Sequence, residues 1–239
     1  AGCPWDREQT HQSLRKYLLE ETYEALEALD QGDAPALAGE LGDLLLQIVL
    51  HTQIATEKGD FQMRDVLRHV STKMIRRHPH VWGEVDVAGD ARQVLANWDK
   101  IKQAENAAAP NKRASLLDGL PAGLPALLVA YQYTDRAARV GFDWPTVAGV
   151  EDKVREELAE IEQEDDPARK AGEIGDLIFV LVNWLRWLNV ADPESLLREI
   201  NAKFYRRFRY IEDHAPQPLN TLPLAALDAL WDEAKRQGL

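Results

Sequence analysis

Leu14, Leu18, Ala25 and Leu29 follow one another at intervals of 4, 7 and 4 residues. That spacing places them on one stripe of an α-helix. The pattern predicts a helix over 8–30, broken by Gly32, Asp33 and Pro35. A second helix is predicted over 35–57, stopping before Gly59. A third spans 62–77 and ends at His78-Pro79, because proline disfavours helix in the residue before it. A fourth, over 90–106, carries Trp98. No run of β-branched residues keeps a two-residue alternation, so the chain is expected to be all-α.

The first stripe has a vacancy, and Glu21 fills it. Val150, Val154 and Ile161 form the same stripe again, with Glu157 in the same slot. This is one part of an internal repeat. Glu21 answers Glu157 at an offset of 136, while Glu40 answers Glu173 and Asp43 answers Asp176 at 133. Lys73 of KMIRR answers Lys203 of KFYRR at 130, and Trp98 of WDKIK answers Trp231 of WDEAK at 133. The blocks recur in one order, which predicts two tandem helical-bundle modules over 1–104 and 125–239. A Pro-, Gly- and Ala-rich connector over 105–124 joins them, its second half packed on the body.

Composition narrows the chemistry. Of 239 residues, 45% are hydrophobic, enough for a packed core. The formal net charge of −12 argues against a nucleic-acid partner. The longest apolar stretches, near 44–50 and 177–185, fall well short of the roughly 20 residues that cross a bilayer, so no membrane association is expected. The first residues, AGCPWDRE, lack a basic region followed by an apolar one, and Cys3 is the sole cysteine. A cytoplasmic setting is expected.

The acids carry the site. A carboxylate facing a core costs several kcal/mol unless its charge is compensated. Glu24 and Glu160 lie three residues beyond the two slot acids, and Glu40 with Asp43, like Glu173 with Asp176, share one helix face. Turns at Pro35 and Pro167 make the helices antiparallel, so four carboxylates converge in each module. Such a set, without His or Cys, suits Mg²⁺, with Mn²⁺ as the other candidate. The bland alternative is a solvated acidic face, since the chain has 40 acids. A di-iron bundle needs two Glu-x-x-His pairs, and the chain offers one, Glu8 to His11.

A phosphate chain on such ions still needs cations. Lys73, Arg76 and Arg77, and their counterparts Lys203, Arg206 and Arg207, are candidates. Arg76 and Arg77 equally suit closing a helix C-terminus. Trp98 with Lys102, and Trp231 with Lys235, sit one turn apart, so an indole can stack on a base while the ammonium reaches phosphate. The commoner role of tryptophan is core packing.

CPWDREQTH, LEETYEALEAL, GELGDLLLQIVLH and RRHPHVW resemble the MazG family of nucleoside triphosphate pyrophosphohydrolases in its two-domain bacterial form. The resemblance covers essentially the whole chain. It implies an all-α, dimeric enzyme that cleaves NTPs or dNTPs to the monophosphate and pyrophosphate with Mg²⁺. It also implies metal ligands in the EExxE and ExxD motifs: Glu20, Glu21, Glu24, Glu40 and Asp43, and Glu156, Glu157, Glu160, Glu173 and Asp176. Lys203, Arg207, Trp231 and Lys235 match positions of nucleotide contact, and the second module is implied to be the catalytic one. Asn183 stands seven residues after Asp176, where the first module has Leu50. An amide can hold the sugar or a phosphate-bound water; leucine cannot.

The expected reaction is attack of water at the α-phosphorus, with Glu156 or Glu157 orienting or deprotonating it and Lys203 and Arg207 offsetting charge on the β and γ groups. In the first module Glu20, Lys73, Arg77, Trp98 and Lys102 are counterparts whose activity is in question. The competing reading is a helical module that senses nucleotides or bridges proteins without turnover; intact acids in both copies argue against it. House-cleaning of the nucleotide pool is a family-level expectation, and tandem amphipathic helices favour a homodimer.

Overall fold

A computed structural model of the chain describes residues 2–87, 89–108 and 114–239. It forms two compact units, Ala1–Lys112 and Arg113–Leu239. No strand occurs among the described residues, as the sequence pattern predicts.

The first unit holds α1 (Pro4–Glu8), α2 (His11–Gln31), α3 (Ala34–Lys58), α4 (Met63–Arg77), α5 (Pro79–Trp82) and α6 (Ala91–Ala108). Thr10 opens α2 in a capping box: its hydroxyl accepts from the Ser13 N–H, and the Ser13 hydroxyl accepts from the Thr10 N–H. The chain therefore breaks between Glu8 and His11, where one helix over 8–30 was expected. The Glu-x-x-His spacing spans two helices, and the two residues do not share a face. His11 instead meets His51, their Nδ1 atoms 2.8 Å apart and their rings stacked. Burial, and then His11, hold His51 below the ordinary histidine range.

Gly32 closes α2 at φ 68°, a left-handed conformation that glycine adopts without strain. Asp33 caps the next helix through the Ala36 N–H, and Pro35 sits in its first turn. So short a turn forces α2 and α3 into an antiparallel hairpin, the main packing of this unit. Leu14, Ala25, Ala28 and Ala55 fill its seam. Leu18 and Leu29, expected in the core with them, are 39% and 56% exposed. The chain's own helices do not cover that half of the stripe.

Glu105 on α6 clasps α4. Arg76 Nε and Arg77 Nη2 each reach one of its carboxylate oxygens at 2.7 Å. The residues expected to open the connector, 105–108, thus continue α6; residues 109–113 of that connector lie outside the described residues.

The second unit holds α7 (Ala126–Ala138), α8 (Val147–Gln163), α9 (Pro167–Trp187), α10 (Pro193–His214) and α11 (Leu224–Arg236). Asp166 caps α9 through the Ala168 and Arg169 N–H groups, and Asp192 caps α10 through Ser195. α8 and α9 form the hairpin corresponding to α2 and α3; α7 packs on α9 and α10, and α11 on α10. The Glu194 carboxylate accepts from the Leu127 N–H, so the start of α10 caps the start of α7. Arg136 Nη1 donates to the Leu116 and Asp118 carbonyls at 3.1 and 2.9 Å, which ties the end of the connector to α7 as expected. In the first turn of α8, a Cβ on Gly149 would overlap the Trp144 indole.

The clasp yields a stability test. The hydrogen bond from Arg77, and the charges of Arg77 and Arg76, hold the Glu105 carboxyl below its ordinary 4.5 against the opposing effect of burial. A depressed folded pKa gives stability that is present above 4.5 and lost as pH falls through the folded value. Glu105→Gln is expected to cost about 1 kcal/mol at pH 7. The deficit against the parent protein should vanish in acid, as measured by urea denaturation at several pH values.

Candidate functional site

Each helical hairpin gathers acids. On α2 and α3, carboxylate oxygens of Glu21, Glu24 and Glu40 lie within 4.8 Å of one another; on α8 and α9 the same holds for Glu157, Glu160 and Glu173. The cause is local. Glu21 and Glu24, and Glu157 and Glu160, are one turn apart on the first helix of each pair. The tight turn then folds the second helix back so that Glu40 or Glu173 faces them.

Asp43 and Asp176 stand outside these tight groups but act on them. Burial, then Asp43, Glu24 and Glu40, push the Glu21 carboxyl up. Burial, then Glu160, Asp176, Glu157 and Glu164, do the same to Glu173. Glu20 and Glu156 are exposed and belong to neither group.

Glu157 is the most enclosed of these acids, 3% exposed. Its Oε1 accepts from Lys153 Nζ at 2.7 Å, and the same ammonium reaches Glu156 Oε1 at 2.9 Å. Those hydrogen bonds, the one to Glu157 foremost, hold Lys153 well above the ordinary lysine range. Glu157 Oε2 is buried without a partner among the described residues. A buried orphan oxygen calls for a ligand. The set contains only carboxylates, so the ligand that fits is a hard divalent cation. Sequence reasoning missed Lys153, although its position four residues before Glu157 puts it on the same helix face. Tyr17 stands at the equivalent place in the first unit, where it packs under Lys16 and against Trp5.

The predicted basic and aromatic companions separate. In the second unit the Arg207 guanidinium lies 5.5 Å from the Trp231 ring, and its Nε donates to the Leu239 carbonyl. Trp231 also meets Phe204 at 5.2 Å. Lys203, one turn before Arg207, has no hydrogen-bond or ion-pair partner among the described residues. Lys235 pairs with Asp232 at 2.9 Å. Arg206 points away and lines an exposed groove with Arg209, Tyr210 and Asp213. This group rides on α10 and α11, and α7 links it to α9.

In the first unit Arg77 and Arg76 are held by Glu105. The Trp98 ring sits 4.8 Å from His78, with its Nε1 buried and unpaired among the described residues. Lys73 lines an exposed groove with Asp65, Arg68 and His69, and Lys102 is exposed.

Asn183 is 4% exposed. Its Oδ1 accepts from Arg186 Nε at 2.9 Å, and Arg186 Nη2 donates to Asp143 Oδ2 at 2.6 Å. Trp187 Nε1 donates to Asp143 Oδ1 at 3.3 Å. Asp143, Arg186 and Trp187 were not found from sequence, because residues more than 40 apart carry no local signal of their pairing.

Comparison with known proteins adds the following. The MazG nucleotide pyrophosphohydrolase domain matches residues 9–82. A protein of Thermotoga maritima named nucleoside triphosphate pyrophosphohydrolase/pyrophosphatase MazG is 44% identical, over 98% of this chain and 89% of its own length. The nucleoside triphosphate pyrophosphohydrolase of Escherichia coli is 42% identical, over 99% of this chain and 91% of its own. The Bacillus subtilis protein YabN is 46% identical over 98% of this chain, which corresponds to 48% of that longer protein.

The crowding of acids has a measurable sign. A carboxyl whose folded pKa is raised favours the folded state while protonated, and that contribution is lost as pH rises through the folded value. With divalent ions chelated, Glu173→Gln is therefore expected to raise the melting temperature at pH 8. The gain should shrink as pH is lowered through the raised value of Glu173 toward 4.5, where the parent carboxyl is itself protonated.

Proposed function

Since the chain belongs to the MazG family of nucleoside triphosphate pyrophosphohydrolases, we propose that Arg113–Leu239 is its catalytic module, with Mg²⁺ held by Glu157, Glu160, Glu173 and Asp176. The enzyme hydrolyses nucleoside triphosphates to the monophosphate and pyrophosphate. The observation that carries the assignment of the module is the orphaned Glu157 Oε2 inside a group of carboxylates, beside an ammonium that the first unit lacks. Glu21, Glu24, Glu40 and Asp43 form a second candidate cation site, and the two units are tandem versions of one module. Mn²⁺ suits the same oxygen donors.

When bound, the divalent ion neutralises triphosphate charge and makes a coordinated water more acidic. The protein's own groups do the rest. Glu156 stays outside the ligand group with its Oε1 fixed by Lys153, and it takes the proton of the attacking water. The water oxygen bonds to the α-phosphorus as the bond from that phosphorus to the α–β bridging oxygen breaks. Pyrophosphate leaves with the bonding electrons. Lys203, whose ammonium is unpaired among the described residues, and Arg207 offset charge on the β and γ groups. Trp231 and Lys235 complete the nucleotide contact. NTPs and dNTPs are the substrate class, with house-cleaning of the cytoplasmic nucleotide pool as the role.

The proposal extends to a homodimer. Leu41, Leu45 and Ile48 on α3 are exposed, and so are Ile174, Ile178 and Leu181 on α9, each at an offset of 133. Spacings of four and three put each trio on one helix face, an apolar strip of the kind that marks an association surface. No helix among the described residues is long and apolar enough to cross a membrane.

Two outcomes are expected. Glu157→Gln with Asp176→Asn should lower pyrophosphate release from NTPs by at least about 10²-fold, in an assay with Mg²⁺ and an EDTA control. Normal turnover by this double variant would refute the assignment of the second module, and orthophosphate as product would move the cut to the β–γ bond. Ile178→Glu should shift the light-scattering mass from two chains toward one.

A further inference from the structure

Beside the acidic hairpin, the second unit holds a cavity of about 230 Å³. Its walls are rings: Tyr133 on α7, Phe142 and Trp144 from the turn before α8, and Phe179 on α9. Thr134, Asn183 and Asp143 are polar side chains of its lining, and the Tyr133 ring carries a hydroxyl. Most of this polarity is already committed. The Thr134 hydroxyl donates to backbone carbonyls of its own helix. Asp143 accepts from the Trp144 N–H and Trp187 Nε1 with one oxygen and from Arg186 with the other.

Asn183 differs. Its oxygen faces Arg186 Nε, and an arginine can only donate. The amide is therefore fixed, oxygen toward Arg186 and Nδ2 away from it, and no amide flip is compatible with that partner. Nδ2 has no partner among the described residues, on a side chain that is 96% buried and lines the cavity. A ligand there meets aromatic faces, among them the ring of the Tyr133 phenol, and a fixed amide that offers protons only.

The cavity also lies at the right reach. Asn183 follows Asp176 by seven residues, two helical turns, so it stands on the same face of α9 about 10 Å further along. A nucleotide whose α-phosphate sits at the acids can extend its base to this depth.

We propose that this cavity takes the nucleobase and that Asn183 selects bases that insert an acceptor, such as a carbonyl oxygen, over bases that insert an exocyclic amino group. The inference rests on the assignment of the second unit as the catalytic module. It goes further by giving Asn183 the base edge, where the sequence left sugar or water open.

The test compares bases that differ at one edge. The wild-type enzyme is expected to show kcat/KM higher by roughly tenfold for ITP than for ATP, and for UTP than for CTP, the scale of one hydrogen bond. Asn183→Asp keeps an oxygen for Arg186 and replaces the donor with an acceptor, so both ratios should fall below one. Calorimetric binding of IMP and AMP to the wild-type protein checks the same preference without a variant. Equal kcat/KM for all four triphosphates, with equal IMP and AMP binding, would overturn the base assignment while leaving pyrophosphate release intact. A change confined to the ribose-to-deoxyribose ratio in Asn183→Asp would overturn it in favour of the sugar. Absence of pyrophosphate from every triphosphate would instead overturn the underlying hydrolase reading.

Discussion

Mutual repulsion among carboxylates is the constraint around which each unit is built. Three acids whose oxygens lie within 4.8 Å repel one another, and burial makes the repulsion worse. The helices hold them together because the hairpin turn is so short and the seam behind it is well packed. Leu14 and Ala55 in one hairpin, and Val150 in the other, are completely buried. Apolar packing thus opposes the electrostatic cost, which a bound cation would relieve. The raised carboxyls of Glu21 and Glu173 are what that unrelieved cost looks like in each unit.

The two units resolve the same acids differently. In the second, Lys153 brings a positive charge to Glu157 and Glu156, Lys203 has no partner among the described residues, and Asn183 lines a cavity. In the first, the equivalent places hold Tyr17 and Leu50. The arginines after Lys73 are bound by Glu105, and Trp98 is packed on His78. The arginines and the tryptophan of the first unit thus tie its own helices together. The acid cluster is common to both units, and its surroundings are what differ.

Much of this was legible in the sequence, for reasons that are local. Helix ends at Gly32, Gly59 and His78-Pro79 follow from single residues with restricted or permissive backbones, and the structure places them there. The convergence of Glu21 with Glu24 and Glu40 follows from a period of 3.6 and one turn. The failures are equally physical. The apolar spacing predicts the start of α2 three residues early, because it carries no trace of the Thr10–Ser13 box. Leu18 and Leu29 were assigned to the core because periodicity reports a stripe and not what covers it. Glu105 falls where the predicted helix 90–106 and the predicted connector 105–124 overlap, and its partners about 28 residues away in α4 leave no local signal. The network of Asp143, Arg186 and Asn183 depends on the path of the turn before α8, which no spacing encodes.

Gly149 shows how one backbone position joins the hairpin to the cavity. The Trp144 indole lies where any side chain at 149 would project, so α8 keeps its least helix-favouring ordinary residue in its first turn. That choice forgoes roughly 1 kcal/mol of helix propensity relative to alanine. In return the ring rests flush on the helix that carries Glu157. The wall of the cavity is thereby packed against the ledge of the acids, and a methyl group inserted between them would act as a wedge.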